Sequence, residues 1–151
     1  MNENLAQLSP LERLRIQGAA AAPRLWNPEA AGAWSLIFNP VFGSILVMMN
    51  WQALRAPEKV RNTQVWLVVS IIVLVGAFFL PSSVLPLVTI GYLLVWYFSV
   101  AKPQAKYIRE RWGQAYPRRS WLWPLVIAFG ILFSFLCLVF VLSMAQAVLF
   151  Q

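Results

Sequence analysis

The chain has no histidine, no aspartate and one cysteine, and its acidic side chains are five glutamates scattered over 151 residues. Without histidine or aspartate there is no Ser-His-Asp triad and no histidine-based metal site. Cys137 stands alone, so an intramolecular disulfide and a cysteine zinc site are excluded. The seven glycines are isolated, and no glycine-rich phosphate loop occurs. No catalytic, cofactor-binding or metal-binding set is therefore expected. Charge of either sign is scarce as well: charged residues make up 11% of the chain, against about 25% in ordinary soluble domains. A domain this poor in charge lacks the polar surface that would keep it dissolved in water.

What the chain does have is apolar surface. Hydrophobic residues are 60% of the total and aromatic residues 15%, with a mean hydropathy of +0.67. The expected class is an all-α, polytopic helical membrane protein. Three apolar runs, 65–80, 84–101 and 121–150, have the length a spanning helix needs at about 1.5 Å per residue and a hydrocarbon core of roughly 30 Å. The turn between the first two, Pro81-Ser82-Ser83, is so short that they must be antiparallel neighbours. The third is longer than a vertical span requires, which implies tilt or an end clear of the bilayer. These runs belong to a single membrane domain, residues 28–151.

A fourth segment, 28–54, is apolar but interrupted. Asn27-Pro28-Glu29 is a helix start, and Asn39-Pro40 with Gly43 follows in the middle of the run. Pro40 removes a backbone donor and clashes one turn back. Either this is one spanning helix with a kink, or two half-helices, about 28–38 and 40–54, meet at Asn39 in a re-entrant hairpin. In lipid the freed carbonyl needs a partner, for which the Asn39 amide, Ser70 or Thr89, or a bound molecule are the candidates. Asn39, Pro40 and Gly43 are accordingly the candidate partner-binding residues.

Residues 1–27 form a tail in which Ser9, Pro10 and Glu12 make a capping box, so a short surface helix is expected there. No signal peptide is expected, because no apolar core follows a basic start within the first 25 residues.

The net charge is +7, and most basic residues flank the apolar runs. They are read as topology determinants facing anionic lipid head groups, not as a nucleic-acid surface. Arg55, Lys59 and Arg61 precede the 65–80 run, and Lys102, Lys106, Arg109, Arg111, Arg118 and Arg119 precede the 121–150 run. The positive-inside rule puts both segments in the cytoplasm and the C-terminus outside. Residues 103–113 read as a basic amphipathic helix in the cytoplasmic interface that ends at Gly113. Trp51, Trp66, Trp96, Trp112, Trp121 and Trp123 map to the same boundary, and a hairpin would add Trp26 and Trp34, which leans the choice toward the hairpin. In the last run Gly130 and Ser134 have the small-xxx-small spacing of close helix packing.

The three clear spans carry no ionisable residue, which argues against a proton-coupled pump. The succession Trp26-Asn27-Pro28, Ala33-Trp34-Ser35, Pro40-Val41-Phe42-Gly43 and Asn50-Trp51-Gln52-Ala53-Leu54 resembles a loosely defined group of small uncharacterised bacterial membrane proteins. The resemblance covers the first third of the chain and implies a bacterial inner membrane, with no functional residues to carry over. By elimination the expected function is non-enzymatic: binding a protein partner, as an immunity protein against a membrane-active toxin or an accessory subunit of a membrane complex. The alternative is a small channel or carrier, oligomeric because one chain offers so few polar groups.

Overall fold

Apolar runs bounded by prolines become helices bounded by prolines. The computed structural model describes Ser9, residues 22–114 and residues 116–149; the capping box at residues 9–12 otherwise lies outside them. Within the described residues five α-helices follow in order: α1 (Pro28–Ala53), α2 (Pro57–Ala77), α3 (Leu85–Trp96), α4 (Lys102–Trp112) and α5 (Leu122–Leu149), with a π-helical turn, Tyr97–Ala101, joining α3 to α4. Among the described residues the one extended pairing is an isolated parallel bridge between Leu25 and Arg118. Among the described residues four stretches are long and apolar enough to cross a membrane: Pro28–Ala53, Pro57–Ala77, Leu85–Trp112 and Leu122–Ala147. The architecture is all-α and multi-pass.

The first of these stretches nevertheless doubles back. In a straight helix Trp26 and Asn50 would lie about 36 Å apart. Here the Trp26 backbone N–H donates to Asn50 Oδ1 at 3.0 Å, and Asn50 Nδ2 donates to the Trp26 carbonyl at 2.8 Å. The helix breaks at Asn39 (φ 67°, ψ 167°), and the arms 28–38 and 40–53 run antiparallel, about 16 and 21 Å long. Each is shorter than a hydrocarbon core of roughly 30 Å. Of the two sequence readings, the hairpin is the one the chain adopts. Single cysteines at Glu29 and Gln52, in a Cys137→Ala background, should therefore label with a membrane-impermeant maleimide from the same side; labelling from opposite sides would contradict the hairpin.

α1 ends in a Schellman closure. The Ala56 N–H reaches the Trp51 carbonyl at 3.1 Å and the Arg55 N–H reaches that of Gln52 at 3.0 Å, with Arg55 in the left-handed region (φ 54°). α2 then starts at Pro57, two turns before the apolar run at 65, because proline and Glu58 suit a first helical turn. Its antiparallel pairing with α3 is tied by a 2.7 Å bond between the Ser70 and Tyr92 hydroxyls.

The sequence reading separates a span at 84–101 from a surface helix at 103–113. The backbone runs through instead, as one helical stretch from Leu85 to Trp112. Pro103 has no N–H and its ring crowds the carbonyl four residues back. The π turn just ahead of it, with the Lys102 N–H bonded to the Tyr97 carbonyl, opens the ladder where the ring must fit.

The chain divides into two compact units, up to Arg119 and from Ser120. In the first unit one core joins Val47 and Trp51 of α1 to Trp96, Val100 and Ala101. A second gathers Ala22, Leu25, Ile108 and Tyr116. Trp26, Trp51 and Trp96 are buried, so they are packing residues and not part of a lipid-facing belt. Their rings are used inside the fold: Trp51 lies edge-on to Tyr107 at 5.2 Å, and Trp96 Nε1 donates to Ser44 Oγ at 2.7 Å.

Candidate functional site

The break is built from local chemistry. Asn39 takes a positive φ, which asparagine adopts more often than most other non-glycine residues. The Asn39 Oδ1 accepts from the Val41 N–H at 2.9 Å, which caps the second arm, and Pro40 takes the first helical position, where no N–H is needed. Ser70 and Thr89, the other candidates to face the break, instead return their hydroxyls to Trp66 and Leu85 carbonyls of their own helices. Trp34 stacks on Phe38 at 5.9 Å and Phe42 lies tilted against Phe38 at 5.2 Å around the turn, while Leu36 and Ile37 are exposed at the tip.

Of the three partner-binding candidates, Asn39 and Pro40 are half-buried at this tip, and Gly43 is buried. A Cβ on Gly43 would come within 2.1 Å of Ser35 Oγ and 2.3 Å of the Trp96 ring. Gly43 is thus the point where the two arms and the π-flanked helix touch. In this fold it packs the hairpin rather than facing outward.

At the open end of the hairpin sits a junction that sequence reasoning did not single out. Asn50 and Gln104 are both fully buried. Asn50 Nδ2 donates to Gln104 Oε1 at 3.0 Å as well as to the Trp26 carbonyl, and Gln104 Nε2 donates to the Val47 carbonyl at 2.9 Å. Two amides thereby tie the tail, the second arm and α4 together, each of their polar atoms with at least one partner. The available signal was an amide at the edge of an apolar run in a chain nearly devoid of polar groups.

The basic residues form a rim rather than one cluster. Lys106 pairs with Glu110 at 3.8 Å on the exposed face of α4, and Lys102 and Arg111 lie over the rings of Phe98 and Trp112. Arg119 donates to the Arg24 carbonyl at 2.9 Å and covers Trp26, with its guanidinium carbon 4.5 Å from the ring centre. Arg109 pairs with Glu29 across the two elements, and Arg118 lies over Tyr116 at 5.8 Å. These last four residues line a shallow cleft of about 30 Å³, together with Asn27, Pro28 and the apolar floor of Ala105 and Ile108. Burial pushes the Tyr116 phenol up from its ordinary pKa, with Arg118 pulling the other way and Glu29 adding to the rise, so it stays a protonated donor at neutral pH. In the second unit Gly130 and Ser134 lie one turn apart on α5, as their spacing requires.

Among the described residues no group of three His, Cys, Asp or Glu could hold a metal ion. No family model, no curated protein and no solved structure matches this chain. Its chemistry has to be read from these groups alone.

Proposed function

We propose that this chain is a non-enzymatic protein of a bacterial inner membrane that works by binding a protein partner, as an immunity protein against a membrane-active toxin or as an accessory subunit of a membrane complex. In this reading both basic segments are cytoplasmic and the C-terminus is outside. The observation that supports binding over chemistry is how the fold spends its polar groups. Among the described residues every buried side-chain nitrogen and oxygen has a hydrogen-bond partner. They hold the scaffold in shape, and what faces outward is apolar side chain and a basic rim. Such a surface recognises other molecules by shape and packing. The hairpin tip, with Leu36 71% and Ile37 59% exposed beside Asn39 and Pro40, is the contact we assign to the partner.

Affinity purification in mild detergent tests this. One foreign protein should co-purify in a fixed ratio, and Asn39→Leu with Pro40→Ala should lower it about ten-fold while insertion is preserved. Glu58→Gln with Glu110→Gln should leave it intact. The second reading, an oligomeric channel or carrier, draws on the same break, because several copies could line a path with Asn39 amides. Self-association without a foreign protein, together with solute flux in proteoliposomes, would favour it.

A further inference from the structure

The cleft beside the start of α1 is more than a piece of basic rim. Tyr116 is 8% exposed and lines the cleft together with Arg109 and Arg118; its hydroxyl makes no hydrogen bond to any described residue and is the solvent-accessible end of an otherwise buried side chain. The Arg118 guanidinium has the Tyr116 ring beneath it and no carboxylate partner among the described residues. Arg109 uses one arm on Glu29, leaving further N–H groups of its fork. Donors thus converge from two arginines and the open phenol of Tyr116 at the N-terminal turn of a helix, whose dipole also favours an anion.

We propose that this cleft holds the phosphodiester group of one glycerophospholipid. Two guanidiniums against the Glu29 carboxylate leave one net positive charge, which matches the single charge of a phosphodiester better than the near-double charge of free phosphate. Ala105 and Ile108 give the cleft an apolar part beside its charged groups, as the junction of a head group with its acyl chains requires. The cleft also opens where the apolar arm of α1 begins, so acyl chains can follow that arm into the bilayer. The site is independent of the partner-binding reading: a failure here leaves that reading untouched.

Native mass spectrometry of the full chain in mild detergent, titrated with phosphatidylglycerol, phosphatidylethanolamine or phosphatidylcholine, tests the site. One phospholipid should be retained per chain. Arg118→Gln and Tyr116→Phe should each cut retention roughly five-fold or more, whereas Arg111→Gln, which lies outside the cleft, should not. Both variants change exposed or terminal atoms, and an unaltered unfolding midpoint verifies the fold. Equal losses for Arg111→Gln and Arg118→Gln would mean diffuse attraction and overturn the site. Displacement of the lipid by millimolar inorganic phosphate, or full retention by both cleft variants, would overturn it too.

Discussion

Gly43→Val should collapse the first helical unit. Its Cβ would lie 2.1 Å from Ser35 Oγ and 2.3 Å from Trp96 Cη2, and neither neighbour is free to yield. Ser35 Oγ is bonded to the Ala31 carbonyl at 2.8 Å within its own arm. The Trp96 ring is fully buried and anchored on Ser44. Relief requires the arms to part or the ring to leave its hydrogen bond. Overpacking costs about 1–3 kcal/mol, and a buried tryptophan N–H left without an acceptor adds about 1–3 kcal/mol. The loss should be about 3–5 kcal/mol, read as a large drop in the detergent unfolding midpoint followed by tryptophan fluorescence. Gly91→Val is the control, since a Cβ there meets nothing within 4 Å. Equal midpoints for the two variants would show that the arms are not in contact at Gly43.

Asn50→Leu should be comparably damaging for a different reason. The amide satisfies the Trp26 N–H, the Trp26 carbonyl and the Gln104 carbonyl oxygen at once. Leucine fills similar space but strands all three, at about 1–3 kcal/mol for each buried group left unpaired. Partial access of water to the junction would bring the total to about 3–5 kcal/mol. Adding Gln104→Leu removes one stranded group, so the double variant should be more stable than the sum of the two singles predicts. Strict additivity in the unfolding free energies would mean that the two amides do not act as a unit. Breaking the junction should also free the base of the hairpin, so a cysteine at Gln52 should label faster in Asn50→Leu than in its absence.

Much of the fold was legible along the chain because it depends on one-dimensional properties. The length of an apolar run against the thickness of a bilayer is such a property, and it located 65–80, 84–101 and 121–150 as helices. Proline and glycine positions are another: Pro28 opens a helix where the Asn27-Pro28-Glu29 start signal puts it, and Gly113, at φ 64°, ends α4. The break at Asn39-Pro40 was equally visible, since the capping of Val41 by Asn39 spans two residues.

What could not be read locally depends on residues far apart in the chain meeting in space. A kinked span and a hairpin share the same local break; they differ in whether Trp26 meets Asn50, 24 residues on, and that contact is made jointly with Gln104 from another helix. Gly43 looked like a flexible point of a binding motif, and only the approach of Ser35 and Trp96 makes it a packing position. Tryptophans at the ends of apolar runs looked like interface anchors, but three of them are buried because the fold supplies Ser44, Tyr107 and Arg119 to meet their rings. Pro103 looked like a boundary, and a π turn carries the helix past it. Hydrophobic length and helix punctuation thus determined that this chain forms membrane-length helices and where it breaks. Tertiary structure alone decided which way the broken helix turns and which polar groups are spent holding it, because a buried hydrogen bond between distant segments is a property of the packed fold.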